Sequence, residues 1–377
     1  MMTNEMNPAG ISRGDPEGVS VYYHFPFCVR KCNYCAFYSV AKTEDALLDA
    51  YLQALCLQTR AADEHREVVS VYFGGGTPSV FGAERLCRLL AVIREKFSLS
   101  PDAEVTVEVN PATADEAFFR ALHDAGCNRL SVGMQSSDDE ELRRLGRIHT
   151  FRDVQTCLAD ARKAGFDDIS LDLLFALPGQ TAETFRRSLL DAFALAPTHL
   201  SVYSLQLEEG TAFYRHRQTL SFPSEDEEEA QYDLLCGLAA EHGYEHYEIS
   251  SFAREGHYAR HNLRYWQRGE YLGFGPAAHS HWNGRRFSNT ADLKAYLANP
   301  LGANDYAAAE RISEAEALEE EILLGLRTSF GIPAYLAPRE RVERLCGLGL
   351  LVQNGDRISL TERGWRVSNA VIGQLLP

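Results

Sequence analysis

Between Val19 and about Gly210, short runs rich in β-branched and aromatic residues alternate with amphipathic helical stretches, at roughly one unit per 30 residues. Such alternation specifies parallel βαβ units, because neighbouring parallel strands must be joined by a crossover, normally a helix. The strand candidates are Val19–Phe25, Val68–Phe73, Ala103–Val109, Arg129–Met134, Asp168–Phe175 and His199–Leu205, each ending in turn-forming or polar residues. Six units suit an α/β fold of the incomplete (β/α)6 barrel type better than a closed eight-unit barrel. Periodicity alone leaves a doubly wound sheet open.

A chain of 377 residues exceeds what that body needs, so a smaller appendage is expected. The expected organisation is a flexible lead-in over 1–18, the barrel over 19–255, a connecting segment over 256–310 and a C-terminal unit over 311–377. With 53 acidic against 37 basic side chains the net charge is −16, which repels phosphate backbones and argues against nucleic acid as a partner. The lead-in has neither the apolar core of a signal peptide nor the Arg/Ser bias of a transit sequence, and no window approaches the ~20 apolar residues of a membrane span. The expectation is a cytoplasmic protein without a transmembrane segment.

The acidic run after Ser224 is expected to be an N-cap and first helical turn complementing the helix dipole. After about Gly256 the strand–helix rhythm stops. A helix over Ala315–Leu326, another over Arg339–Gly347, a hairpin turning at Asn354-Gly355 and a last helix from Thr361 together suggest an α+β winged-helix-like domain. Eight Arg against nine acids from Arg311 onward give it no basic face for DNA.

Three of nine cysteines fall in Cys28-Val-Arg-Lys-Cys32-Asn-Tyr-Cys35, directly after the first strand. The loop therefore sits at the C-terminal end of a strand, the catalytic face of a βα barrel. Three thiolates on one iron–sulfur cubane leave the fourth iron open to an exogenous ligand. A zinc site with His24 as fourth ligand is the alternative, although familiar zinc spacings come as two separated pairs. Cys56, Cys87, Cys127, Cys157, Cys236 and Cys346 are scattered and read as small buried hydrophobes rather than a disulfide framework.

The C-x3-C-x2-C spacing, with Tyr34 before the last cysteine, resembles the signature of the radical S-adenosylmethionine superfamily. The resemblance implies a [4Fe-4S] cluster on Cys28, Cys32 and Cys35, with S-adenosylmethionine on the open iron through its amino and carboxylate groups. The loop Gly74-Gly75-Gly76-Thr77-Pro78 follows the second strand, where that superfamily has a glycine turn contacting the methionine amino group. Glu108, Gln135, Arg147 and Asp172 follow at or just after later strand ends, and Tyr22 lies on the first strand. Each alone is as readily a helix cap or a pairing residue. With Gly75, Gly76 and Thr77 they match the cofactor contacts of one branch, the oxygen-independent coproporphyrinogen III dehydrogenases and their heme chaperone relatives of the HemW type.

Two departures count against the dehydrogenase. Its fourth cysteine, two residues after the third, is here Phe37, and its N-terminal extension has no counterpart before Val19. His261-Asn262-Leu-Arg-Tyr265-Trp266 resembles the His-Asn-x-x-Tyr-Trp motif of the chaperones. Imidazole and phenolate both ligate heme iron, and Trp266 offers a flat apolar surface, so His261, Tyr265 and Trp266 are the candidate heme residues. Six of twelve histidines crowd into 242–281. The competing reading is a buried aromatic corner whose histidines are satisfied internally. The resemblance implies a homodimeric chaperone that delivers heme to respiratory hemoproteins. Oxidative decarboxylation of coproporphyrinogen III is the alternative.

Overall fold

In the computed structural model, which describes residues 18–41, 43–304 and 309–377, the β-branched runs form six parallel strands. They are β1 (Val19–Phe25), β2 (Val68–Gly75), β3 (Leu99–Val109), β4 (Arg129–Gln135), β5 (Asp168–Phe175) and β6 (His199–Ser204). The lead-in, up to residue 17, lies outside the described residues.

One face of each strand is apolar. Val19, Val21, Tyr23 and Phe25 of β1, Val71 and Phe73 of β2, Val105 and Val107 of β3 and their counterparts on β4 to β6 join one buried core with the surrounding helices. At about 1.5–3 kcal/mol for each fully buried large apolar side chain, this face is the main stabilising element. The other face is polar: Ser20 and Tyr22 pair in register with Ser70 and Tyr72, Thr106 with Arg129, Glu108 with Ser131, and Asp172 with Ser201. A barrel that exists only to fold fills its interior with branched aliphatics. A polar interior implies a lumen that receives something.

The sheet continues past the six strands on both sides. β8 (Ser251–Ala253) adds antiparallel to β6, and β7 (Glu245–Glu248) antiparallel to β8. On the other side β9 (Tyr271–Phe274) pairs parallel to β1, followed by β10 (His279–Trp282), β11 (Arg285–Ser288) and β12 (Glu310–Arg311). The segment 256–310, expected to be a connector, thus extends the sheet. Its strands span two to four residues, too short to show a period-2 pattern. The outer side of β7 is taken up by the chain around Thr328, where Ser329 N donates to Tyr247 O at 2.9 Å and Ile249 N to Arg327 O at 3.1 Å.

The C-terminal unit has its own core of Ile322, Leu326, Ile332, Leu345, Ile358, Trp365 and Ile372 among others. Ser313 caps the helix Glu314–Gly325 through a capping box with Glu316, as Ser224 and Glu227 do for Glu225–Glu241. A three-stranded sheet orders β13 (Ile332–Pro333), β15 (Arg357–Leu360) and β14 (Leu351–Asn354). Asn354 pairs with Arg357, so the hairpin turns at Gly355-Asp356, one residue later than expected, with Gly355 at φ 63°. The last helix is two pieces, Glu362–Arg366 and Ser368–Leu375. Among the described residues no helix is long and apolar enough to cross a membrane.

Candidate functional site

Beyond Phe25 the chain enters the loop of Cys28, Cys32 and Cys35, which is pinned from two directions. Cys28 N donates to Val40 O at 3.1 Å and Asn33 N to Leu145 O at 2.9 Å. Asn33 Nδ2 donates to Arg144 O at 2.7 Å and Arg30 Nη2 to Gly146 O at 2.7 Å. These acceptors end the helix Asp139–Leu145, where carbonyls lack intrahelical donors, so loop and helix satisfy each other.

Burial pushes the Cys28 and Cys35 thiols up, opposed at Cys28 by the Thr77 hydroxyl 3.5 Å away and at Cys35 by the Phe37 N–H. Both nitrogens of His24 are engaged, Nδ1 with the Tyr22 hydroxyl at 3.0 Å and Nε2 with Tyr38 O at 2.9 Å, so the zinc alternative loses its proposed fourth ligand. Among the described residues no three His, Cys, Asp or Glu side chains converge on one ion. Three neighbouring thiols on a loop suit a cubane, in which each thiolate takes its own iron. Phe37 is 67% exposed beside them.

The glycine loop closes against this loop. Gly76 N donates to Phe25 O at 2.7 Å, and a Cβ on Gly76 would lie 2.7 Å from Phe25 O and 2.8 Å from Phe27 O, so only glycine lets the two loops touch. Gly75, at φ 113°, turns its N–H to Glu108 Oε2 at 3.0 Å.

Inward on the six strands lie Tyr22, Tyr72, Glu108, Gly133 and Asp172, each partly exposed, and Tyr203, which is 41% exposed. Together they ring the lumen. Glu108 accepts from the Tyr72 hydroxyl at 2.9 Å; burial, reinforced by the Asp172 charge and opposed by the donors Tyr72 and Gly75, pushes its carboxyl up to about 7. Asp172 accepts from Ser131 Oγ at 2.7 Å, and burial raises its carboxyl too. Gln135 sits at φ 66° where β4 breaks register, which re-aims it at the lumen rim. Arg147 Nη1 donates to Cys32 Sγ at 3.6 Å and Nη2 to Gly133 O at 2.8 Å, while its buried Nε has no partner. The structure therefore brings Gly76, Thr77 and Arg147 against the cysteine loop, Glu108 against Gly75 and Gln135 beside Gly133, while Tyr22 and Asp172 lie mid-strand on the lumen wall.

The motif helix, Arg260–Trp266, lies against Ser70 and Tyr72 of β2 and Glu104 of β3. Glu104 receives its first N–H groups, from Arg260 at 2.8 Å and His261 at 2.9 Å. His261 is 1% exposed, with Nδ1 bonded to Ser70 Oγ at 2.8 Å and Nε2 to the Tyr265 hydroxyl at 2.7 Å. Trp266 packs beside Tyr247, Tyr258 and Phe330. The expected accessible heme ligand is thus, in this conformation, the satisfied aromatic corner, because a carboxylate from a distant strand anchors the helix inside. Of the six clustered histidines, His279 and His242 are exposed; the His242 ring stacks on Phe193 at 4.2 Å.

Sequence reasoning missed Tyr72, Ser131 and Tyr203. Their signal is the polar alternation Ser20, Tyr22, His24 and Ser70, Tyr72, Gly74 in strands whose other residues are apolar.

Residues 22–192 match the pattern of the radical SAM superfamily and residues 312–367 that of the HemN C-terminal domain. The chain is 34% identical to heme chaperone HemW of Lactococcus lactis, over 95% of this chain and 97% of that protein. It is 35% identical to the Bacillus subtilis HemW over 95% and 99%, and 37% identical to that of Mycobacterium tuberculosis over 96% and 95%. Among solved structures, coproporphyrinogen III oxidase (HemN) from Escherichia coli superposes with a TM-score of 0.82 at 23% identity, covering 97% of this chain and 91% of that one.

Proposed function

The chain belongs to the HemW family of heme chaperones within the radical S-adenosylmethionine superfamily, and on that basis we propose that it binds heme and delivers it to respiratory hemoproteins. The observation that carries this reading is similarity to heme chaperones along nearly the whole chain, at 34–37% identity. The likeness to the coproporphyrinogen oxidase, at 23% identity, is one of fold. Phe37, in place of the dehydrogenase's fourth cysteine, supports the same choice.

Cys28, Cys32 and Cys35 would hold a [4Fe-4S] cluster, which together with S-adenosylmethionine supplies one-electron chemistry when bound. Around it the chain's own groups have distinct tasks. Thr77 and the carbonyls of the Gly75-Gly76 turn would accept from the methionine amino group; Arg147 would hold its carboxylate; Glu108, Gln135 and Asp172 would take the remaining polar groups, and Tyr22 packs along the lumen wall.

Heme is cargo, taken at the motif of His261, Tyr265 and Trp266. Ligation by His261 requires release from Ser70 or Tyr265, so heme capture opens the buried corner. The chaperone is a cytoplasmic homodimer in this reading.

The test is anaerobic incubation of the reconstituted protein with coproporphyrinogen III, S-adenosylmethionine and reductant, alongside a heme titration. Stable heme binding without porphyrinogen turnover is expected. Formation of protoporphyrinogen would overturn the chaperone reading in favour of the dehydrogenase.

A further inference from the structure

The buried motif and the cofactor carboxylate are joined by a short chain of contacts. Ser20 Oγ and Ser70 Oγ are 2.7 Å apart, Ser70 Oγ is 2.8 Å from His261 Nδ1, and His261 Nε2 is 2.7 Å from the Tyr265 hydroxyl. An imidazole bonded at both nitrogens cannot rotate without breaking a buried hydrogen bond. On its face lies Tyr72, ring centroids 4.9 Å apart and planes 27° from parallel. The Tyr72 hydroxyl donates to Glu108 Oε1 at 2.9 Å, and the opposite carboxylate oxygen accepts from Gly75 N at 3.0 Å. Gly74 makes this meeting possible: a Cβ there would sit 2.7 Å from the Tyr72 ring and 2.9 Å from Glu108 Oε1.

We propose that His261 is a positioning residue for Glu108, acting through the Tyr72 ring, so that whatever engages the His261 imidazole alters S-adenosylmethionine binding at Glu108. This rests on the assignment of Glu108 to S-adenosylmethionine. It gives the His-Asn-x-x-Tyr-Trp motif a second task, linking the state of the heme motif to the cofactor site. Linkage makes the effect reciprocal: S-adenosylmethionine binding, by fixing Glu108 and Tyr72, holds His261 in place.

The experiment is a double-mutant cycle on the full-length, reconstituted protein, with S-adenosylmethionine affinity measured by equilibrium dialysis and the reduced cluster's EPR spectrum recorded before and after its addition. Tyr72→Phe keeps the ring and removes the donor; a lost hydrogen bond to a charged group predicts roughly tenfold weaker binding. His261→Ala is expected to weaken binding by a smaller factor and to change the EPR shift that S-adenosylmethionine induces. In the Tyr72→Phe background it should add nothing further, because its route is gone. Additive losses, or wild-type affinity in both single variants, would overturn the proposal. Should His261→Ala lose its cluster or its cooperative melt, Tyr265→Phe takes its place in the cycle, freeing Nε2 without opening a large cavity. Glu108→Gln separates the two levels: unchanged affinity there defeats the assignment of Glu108, whereas weakened affinity with an additive cycle defeats only the link from His261.

Discussion

Arg147 Nη1 reaches Cys32 Sγ at 3.6 Å while its other terminal nitrogen holds Gly133 O at 2.8 Å, tying the cysteine loop to the fourth strand through one guanidinium. Its Nε is buried without a partner, which leaves a donor for an incoming carboxylate. Lysine keeps the charge but cannot span both contacts. Arg147→Lys is expected to weaken S-adenosylmethionine binding about tenfold and Arg147→Ala about a hundredfold, the range for buried charged hydrogen bonds. Isothermal titration of the reconstituted protein checks this, and unchanged affinity in Arg147→Ala refutes it.

Cys28, Cys32 and Cys35 should behave as a set. Each single serine variant is expected to lose most of the broad absorption near ~400 nm and most of its iron after anaerobic reconstitution. Cys157→Ser, altering a buried cysteine 1% exposed in the helix core, should keep both. Equal iron in all four proteins would dispose of the cluster assignment.

Glu248 offers a pH-dependent test away from the cofactor. Burial pushes its carboxyl up to about 7, with the Ser250 N–H, 3.1 Å from Oε2, opposing. Between its ordinary value of 4.5 and 7 the folded protein keeps a proton that the unfolded chain has released, so this group subtracts stability as pH rises through that window. Glu248→Gln removes the titration. Its stability relative to wild type should climb from pH 4.5 to 7, by up to about 3 kcal/mol, and level off above. Denaturant melts at four pH values measure this; a gap independent of pH would contradict it.

The locked His261 makes a kinetic prediction for heme. Tyr265→Phe removes the partner of Nε2 and is expected to speed the appearance of the heme absorption band, whereas His261→Ala should weaken or shift it. Stopped-flow mixing with hemin distinguishes the two. An unaltered spectrum in His261→Ala moves the ligand elsewhere, first to the exposed His279.

Gly331, at φ 58°, lies where an added methyl would run into the Ile358 carbonyl oxygen. Both the backbone conformation and the contact oppose a side chain, so Gly331→Ala should cost the C-terminal unit several kcal/mol, about 2 or more. The readout is the melting temperature; an unchanged melt would mean that β13 and β15 separate freely.

Much of the first half was legible because its signals are local. Val19–Phe25 and Asp168–Phe175 emerge with the boundaries expected of them, since each is a largely buried run bounded by turns. The cysteine and glycine loops are contiguous motifs. The contribution of Tyr72 was hidden because it depends on register, which pairs it with Tyr22 on one side and Thr106 on the other. The burial of His261 was hidden for the same kind of reason: Glu104, which anchors its helix, is 157 residues away. Composition gave the histidine crowd between 242 and 281 no depth, and depth decides which imidazole meets a ligand.

The two ends of the long sheet have a consequence for the life of the chain before it is folded. β12 is only Glu310-Arg311, and β7 spends its outer backbone groups on the chain around Thr328. A polypeptide that builds twelve strands one after another risks zipping onto its neighbours on the same messenger, and here the last rungs are short and charged or already claimed. The described sheet edges therefore offer few free backbone groups on which a neighbouring nascent copy could pair.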